Sequence, residues 1–454
     1  MIQLFPLFSK KKFLIANFWL EVIDKNNNTF HIFNTLLFSI KVNTSKTLSS
    51  FFNWFNSIST KDLFRVRPIN FDMLESWYFN DTTGDLQHKS GKFFTVKGME
   101  VKTNFANVTN WNQPIIHQPE EGILGIISKL VNGKRHLLMQ AKMEPGNINL
   151  VQLSPTVQAT KSNYTKVHDG KFPKYLEFFL NPKENGAKVL FDILQPEQGA
   201  RFYKKQNRNI LLEIDGNIKV DSDFFWISLE NLKSLIHEDN LINMDARTVL
   251  SCMHSGKAPV DKIIHWVNEL KKKYWLESKL ISLNNVEKWN RNEREIFHKD
   301  KKYFSVIAVE VEAKNREVVR WTQPLFKDAG IGLIGFIEHE GKYLVQAKIE
   351  AGNRNLFDLA PTVSFSDYKN RLKTEGMSPL MEYFLNAPKS KIDFDTLLSE
   401  EGGRFYHAQN RYMIVKANPA YVPANFYWMS KDELFTLVKK SYFNVEARSL
   451  IATL

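Results

Sequence analysis

The phrase "QAKMEPGNINLVQLSPTV" occupies residues 140–157, and "QAKIEAGNRNLFDLAPTV" occupies 346–363. Two copies of so irregular a phrase restrict what the chain can fold into, because a repeat decides architecture before any local propensity does. The repeat extends well beyond it. "HKSGKFFTVKGMEV" at His88 matches "HKDKKYFSVIAVEV" at His298, and "WNQP" at Trp111 matches "WTQP" at Trp321. "YLEFFL" at Tyr175 matches "LMEYFL" at Leu380, and "GARFYKKQNR" at Gly199 matches "GGRFYHAQNR" at Gly402. "FFWIS" at Phe224 matches "FYWMS" at Phe426, and "NMDAR" at Asn243 matches "NVEAR" at Asn444. Glu75-Ser76-Trp77 answers Glu287-Lys288-Trp289. The order never changes. Two repeats are too few for a solenoid, and each is long enough to be a domain.

Within a repeat the patterns mix α and β. Apolar runs flank Asn132-Gly133 and Glu340-Gly341, which predicts a hairpin at each place. "FTVKGMEV" reads as a strand. "WMSKDELFTLVKK" reads as a helix with Ser430 and Glu433 at capping-box spacing. Val260, Ile263, Ile264, Val267 and Leu270 share one helical face ahead of the second repeat, and "TSKTLSSFFNWFNSIS" precedes the first in the same way. The expectation is an α+β protein of two sandwiches, each introduced by a helix.

Composition narrows the class. Hydrophobic residues are 43% and charged residues 24%, ordinary for a soluble globular protein. With Cys252 alone, neither an intrachain disulfide nor a cysteine-built zinc site is available, which fits a reducing cytoplasm. No apolar window is long enough to span a membrane. The start, "KKKFLIANFWLEVI", imitates a signal peptide, but Asn17 and Glu21 interrupt it and no small-residue cleavage pattern follows. The net charge of +12 suits a phosphate-bearing ligand as well as a merely basic surface. Walker, dinucleotide, nucleophile-elbow and HExxH signatures are missing.

The repeated polar residues are the candidates for chemistry. Arg201-Phe202-Tyr203 with Gln206-Asn207-Arg208 recurs as Arg404-Phe405-Tyr406 with Gln409-Asn410-Arg411. Arginine offers a rigid fork to phosphate oxygens, amides read donors and acceptors, and aromatic rings stack. The same residues also suit an internal network holding each repeat together. After the shared "PTV" the repeats diverge. The first continues with Gln158, Thr160, Lys161, Ser162, Asn163, Tyr164 and His168, a stretch dense in polar side chains.

These motifs together resemble the NDP-hexose 2,3-dehydratase family, from about residue 44 to the end, with residues 1–43 outside it. The resemblance implies a duplicated Nudix-like fold, two α/β/α sandwich modules in tandem over 44–255 and 256–454, assembled as a homodimer. It implies a substrate such as dTDP-4-keto-6-deoxyglucose, loss of water across C2 and C3, and a 3,4-diketo product for a 3-ketoreductase or aminotransferase in deoxysugar synthesis. It places the nucleotide-sugar site on Trp77, Thr156, Val157, Gln158, Ala159, Thr160, Asn163, Trp321, Arg404, Phe405, Tyr406, Gln409 and Asn410, with Tyr164, His168 or His117 as the base. No cofactor is expected, and neither nucleic acid nor membrane is an expected partner. The glutamate-rich metal box of Nudix hydrolases is missing from both repeats, which disfavours metal-activated hydrolysis. A Nudix-type hydrolase and a non-catalytic nucleotide or nucleic-acid binder are the competing readings.

Overall fold

The computed structural model describes residues 46–60, 64–105, 108–160, 173–314, 318–374 and 376–454. The chain divides into two compact units, 1–54 and 55–454. The helix Lys46–Ser59 stands where the sequence places it. The second unit holds all the sheets among the described residues.

Among the described residues its strands run, in the first repeat, β1 (Phe64–Ile69), β2 (Trp77–Phe79), β3 (Leu86–His88), β4 (Thr95–Thr103), β5 (Asn110–His117), β6 (Gly122–Val131), β7 (Lys134–Met143), β8 (Val151–Ser154), β9 (Val157–Ala159), β10 (Ala187–Pro196), β11 (Gln206–Ile214) and β12 (Phe224–Ser228). The second repeat supplies β13 (Leu276–Ile281), β14 (Trp289–Arg291), β15 (Glu295–His298), β16 (Phe304–Ala313), β17 (Arg320–Asp328), β18 (Gly332–His339), β19 (Lys342–Lys348), β20 (Asp358–Ala360), β21 (Val363–Phe365), β22 (Ile392–Ser399), β23 (Gln409–Lys416) and β24 (Phe426–Ser430).

Local chemistry explains many of these boundaries. Asn132 and Gly133 adopt φ of 50° and 74°, and Glu340 and Gly341 adopt 49° and 78°. These left-handed pairs make the tight turns β6–β7 and β18–β19, matching the right-handed strand twist. Ser430 and Glu433 form the capping box of the helix Lys431–Lys439. The helix Asp261–Lys273 buries Ile263, Val267 and Leu270.

Each repeat builds a seven-stranded mixed sheet of the same connectivity. In the first, β10-β11-β6-β7-β12 form the main order, with β8 on β7 and β9 on β6. In the second, β22-β23-β18-β19-β24 form it, with β20 and β21 added likewise. The central pairs β6–β11 and β18–β23 are parallel. A short helix covers each: Phe179 packs where Gly125 has no side chain, as Phe384 does at Gly335.

The five-stranded sheets depart from two self-contained sandwiches. β1, from the first repeat, pairs antiparallel with β16 of the second. β13, from the second, pairs with β4 of the first in the equivalent register. Each repeat thus lends its leading strand to the other, covering an edge that would otherwise present unpaired backbone.

A second exchange explains the duplicated phrase. Gly146 N donates to Gly402 O at 2.7 Å, and Gly146 O accepts from His407 N at 2.7 Å. Reciprocally, Gly352 N donates to Gly199 O at 2.6 Å and Gly352 O accepts from Lys204 N at 2.7 Å. The turn in each phrase docks on the other repeat's G-x-R-F-Y loop, so closely that a Cβ at Gly146 would lie 1.6 Å from Phe405 O. Two buried arginines add to the bond. Arg247 donates to Ile242 O and Ser399 O, each at 2.6 Å. Arg448 donates to Phe443 O and Pro196 O at the same distance.

Candidate active site

The G-x-R-F-Y loops deliver two arginines to equivalent places with different partners. Arg201 Nη2 meets the Asp328 carboxylate at 2.9 Å. Arg404 instead shares Gln118 Oε1, through Nε at 3.2 Å and Nη2 at 3.1 Å. Gln118 and Asp328 follow the matched "WNQPIIH" and "WTQPLFK", so one amide-for-carboxylate difference separates the two settings. Arg201 is neutralised; Arg404 meets a neutral amide there and keeps a positive charge in a half-buried place. Its guanidinium lies 4.4 Å from the centroid of Phe94, whose ring lies 4.9 Å from that of Trp77. Trp77 itself is buried.

Beside Arg404 four carboxyls gather from distant parts of the chain: Glu144 in the repeated phrase, Glu197 after β10, Asp245 in the first turn of the helix Met244–Ser251, and Glu401 in the second repeat's loop. Lys142 Nζ is 3.3 Å from Glu144 Oε1, which also accepts from Gln158 Nε2 at 2.9 Å. Gln158 Oε1 accepts from Asn243 Nδ2 at 3.3 Å. Glu197 Oε1 accepts from Asn207 Nδ2 at 3.1 Å, and Asn207 Oδ1 accepts from Gly122 N, also at 3.1 Å. Among the described residues, Glu144 Oε2 and Glu197 Oε2 are buried without a hydrogen-bond partner.

Crowding sets the protonation. Burial, then the charges of Glu401, Glu197 and Glu144, push Asp245 well above the usual carboxylate range. Burial raises Glu197 as well, against the pull of Arg448 and Lys205. Glu401 is pushed up to about 7 by its packed surroundings, with Arg404 opposing and Glu144 and Glu197 reinforcing. Glu144, Glu197 and Asp245 are buried, whereas Glu401 retains exposed surface. It is therefore the member of the set able to trade a proton with a bound molecule near neutral pH.

The equivalent cluster in the second repeat is closed. Lys348 lies 2.7 Å from Glu350 and 3.6 Å from Glu446. Glu446 Oε2 also accepts from Ser364 Oγ at 2.7 Å and Asn444 Nδ2 at 3.0 Å. Burial opposes the charge on Lys348, yet Glu350 and Glu446 outweigh it and raise its pKa. Gln198 occupies the place that Glu401 holds in the first cluster, and donates to Glu400. The Lys348 pairs with Glu350 and Glu446, and Gln198 in place of Glu401, make this the closed counterpart.

The other residues carried over from the resemblance fall in several settings. Thr156 is buried, and its hydroxyl accepts from Ile127 N at 2.9 Å and donates to Leu138 O. Thr362 repeats both bonds, so this threonine pins adjacent strands. Val157 and Ala159 pack in the core. Gln158 belongs to the carboxyl cluster, and Thr160 follows on the same strand edge beside Gly122. Trp321 Nε1 donates to Gln323 Oε1 at 2.9 Å, and Gln323 Nε2 donates to Gly403 O at 3.0 Å, which ties Trp321 to the Arg404 loop. Phe405 is core, and Tyr406 stacks on His407. Gln409 accepts from Asn240, and Asn410 joins Gly332 N to Glu400 in the second cluster. His117 ends β5, its pKa lowered by burial and then by Lys97, with its ring 6.2 Å from Tyr203. Asn163, Tyr164 and His168 lie outside the described residues; their segment begins directly after Thr160.

Sequence reasoning missed Gln118, Glu144, Glu197, Asp245 and Glu401 as a set. The available signal was acidity recurring at matched positions of the two repeats, with Gln198 set against Glu401 as the exception.

Comparison with known proteins accords with the repeat. The sequence model of the family described as NDP-hexose 2,3-dehydratase matches the chain twice, over residues 48–253 and 260–454. A protein of Saccharopolyspora spinosa named dTDP-4-dehydro-6-deoxy-alpha-D-glucopyranose 2,3-dehydratase is 40% identical over 444 residues, 89% of this chain and 91% of its own length. Proteins of the same name from Amycolatopsis orientalis and Streptomyces violaceoruber are each 40% identical. They cover 88% and 89% of this chain, and 88% and 96% of their own lengths.

Proposed function

The chain belongs to the NDP-hexose 2,3-dehydratase family and is a hydro-lyase of deoxysugar biosynthesis, and from that premise we propose that it takes dTDP-4-keto-6-deoxy-D-glucose and works at the first-repeat cluster. The observation that carries this reading is the pairing of Arg404, whose charge is not neutralised by Gln118, with Glu401, which holds a proton near neutral pH.

The chemistry follows from the substrate. The C4 ketone acidifies the C3 proton, because the carbanion delocalises into an enolate. A base from the segment after Thr160, Tyr164 or His168, removes it; His117 is a more distant option. The C2 hydroxyl is β to the ketone and leaves as water once Glu401 supplies a proton. The resulting enol takes a proton at C2 and becomes the 3,4-diketone. Arg404 binds the diphosphate. Trp321, half-buried, offers a ring face to the base, while Trp77 supports Phe94 beneath Arg404. Gln158 and Asn243 hold Glu144 so that its charge keeps Glu401 protonated.

The same reading makes each seven-stranded sheet with its helices a Nudix-like sandwich, bounded at 44–255 and 256–454. It makes the protein a cytoplasmic homodimer whose unstable diketone passes to a 3-ketoreductase or aminotransferase. No helix among the described residues is long and apolar enough to cross a membrane.

The test is incubation of the purified chain with dTDP-4-keto-6-deoxyglucose in EDTA, trapping the diketone with a 3-ketoreductase and NADPH. Mass spectrometry showing loss of water followed by reduction supports the lyase. Release of a nucleoside monophosphate on adding magnesium overturns it in favour of a hydrolase.

A further inference from the structure

The two G-x-R-F-Y loops hang from equivalent backbone bonds and differ in the charge they carry. Glu197 N donates to Lys205 O at 3.0 Å, and Glu400 N donates to Ala408 O at the same distance. Arg201 O accepts from Ile116 N, and Arg404 O from Phe326 N, each at 2.8 Å. On this shared frame Lys205 stands where the other half has Ala408, and Glu120 where it has Gly330. With Gln118 set against Asp328 and Glu401 against Gln198, these differences converge on one place. The charges of Glu120, Glu197, Arg404 and Glu401 all act on the Lys205 ammonium.

Lys205 is only 6% exposed. Its Nζ donates to the Glu120 carbonyl oxygen, and among the described residues it has no carboxylate within ion-pair distance. Lys142, by contrast, lies 3.3 Å from Glu144 and serves as that carboxylate's counter-charge. An ammonium carries three N–H donors. Burying it with two of them unused costs free energy, and the equally buried Ala408 shows that the loop closes without it. Burial pushes its pKa below the ordinary lysine range, with Glu120 and Glu197 opposing and Arg404 reinforcing. A desolvated ammonium is a strong hydrogen-bond donor to an oxygen anion.

The reaction creates such an anion. When the base takes the C3 proton, the C–H electron pair forms a C3–C4 double bond and the carbonyl π pair moves onto the C4 oxygen. When the C2 hydroxyl leaves as water with the proton from Glu401, the C4 carbonyl re-forms and the C3–C4 pair becomes the C2–C3 double bond of the enol. Arg404 is assigned to the diphosphate and Glu401 to the C2 hydroxyl, which leaves the C4 oxygen in need of a donor between the two steps.

We propose that Lys205 is a further catalytic residue, which turns its two remaining N–H donors to the C4 oxygen and stabilises the enolate while keeping its own proton. The inference rests on the substrate and site proposed above.

Steady-state kinetics of the full chain with dTDP-4-keto-6-deoxyglucose and its 3-deuterio form test it. Lys205→Ala installs the residue that the other half carries. Its kcat should fall roughly 10²–10³-fold, as for loss of one oxyanion donor, with KM little changed. Its slow turnover should show a full primary isotope effect, because cleavage of the C3–H bond then limits the rate. Glu401→Gln should be slow with little isotope effect, because departure of water limits it instead. Thermal unfolding is followed for each variant. If Lys205→Ala does not fold, Lys205→Met, which keeps the length of the side chain, takes its place in the same measurements. A folded variant with near wild-type kcat overturns the proposal, as does a slow one without an isotope effect or one whose loss lies in KM. Borohydride reduction that fixes substrate on Lys205 overturns the hydrogen-bonding role in favour of an imine. Wild-type chain that leaves the substrate unchanged sinks the substrate reading and the Lys205 role together, whereas normal wild-type turnover matched by Lys205→Ala sinks the Lys205 role alone.

Discussion

Replacing Gly146 by alanine puts the coupling between the repeats to a direct test. The added Cβ would stand 1.6 Å from Phe405 O and 2.7 Å from Gly402 O, where real Cβ contacts essentially never fall below 3.0 Å. These neighbours are backbone, so no side chain can swing aside. The 402–407 loop must retreat, and the two 2.7 Å bonds across the seam go with it. Overpacking and two stranded backbone groups together cost roughly 3–6 kcal/mol, or on the order of 3–6 °C in Tm for a chain of this size. Gly216 has open space around its missing Cβ, so Gly216→Ala is the matched control. Gly352→Ala strains the reciprocal seam, with its Cβ 2.0 Å from Phe202 O. Both seam variants should melt early. Gly146→Ala displaces the loop bearing Glu401 and Arg404, so it should also lose kcat/KM well below its melting temperature, more than Gly352→Ala does. Thermal unfolding with dehydratase kinetics provides the readout. A Gly146→Ala chain indistinguishable from Gly216→Ala in both would refute the seam and its link to the site.

Three further outcomes follow from the site. Glu401→Gln should lower kcat by roughly 10²–10⁴-fold, and wild-type kcat should fall as pH rises through about 7, where the acid is lost. In stability the substitution acts the other way. Wild-type Glu401 ionises at an ordinary pKa when unfolded and at about 7 when folded, so wild type loses stability as pH rises between those values. The Tm of Glu401→Gln relative to wild type should therefore climb from pH 5 to 7 and level off above, as calorimetry across that range would show. Gln118→Asp installs at Arg404 the partner that Arg201 has; KM should rise about tenfold with kcat little changed, since the diphosphate then competes with a carboxylate. An unchanged KM would remove Arg404 from the clamp. Exhaustive chelation should leave turnover unaltered; an EDTA-sensitive, magnesium-restored rate would bring the hydrolase reading back.

Much of this was legible in local patterns. Asn132-Gly133 names its turn, and Ser430 with Glu433 names its cap, because each signal and its consequence lie within a few residues. The five-stranded sheets were not legible in the same way. "FRVRPI" and "LESKLI" carry no signal that the sequence reading used, and nothing in a strand's own pattern says which edge it joins; both join the other repeat. The carboxyl cluster escaped for a related reason. Glu144, Glu197, Asp245 and Glu401 each sit beside an apolar repeat motif that looks architectural, and only the fold brings them within reach of one charge field. Thr156 shows the opposite case. The resemblance places it in the nucleotide-sugar site, and both bonds of its hydroxyl hold the sheet together.

The lending of β1 and β13 bears on how the enzyme can move. Two domains joined by a linker can hinge apart to admit a substrate and shut around it. Here any such opening would have to tear β1 from β16 and β13 from β4 at once, a loss of two full strand pairings. Admission and water exclusion therefore fall to loops, and the two repeats act as one rigid frame around them. A protease cut within residues 253–260 would sever the connection between repeats, yet leave a two-piece molecule that does not come apart. Such a nicked chain should elute from a sizing column with the intact protein, its fragments separating only in denaturant.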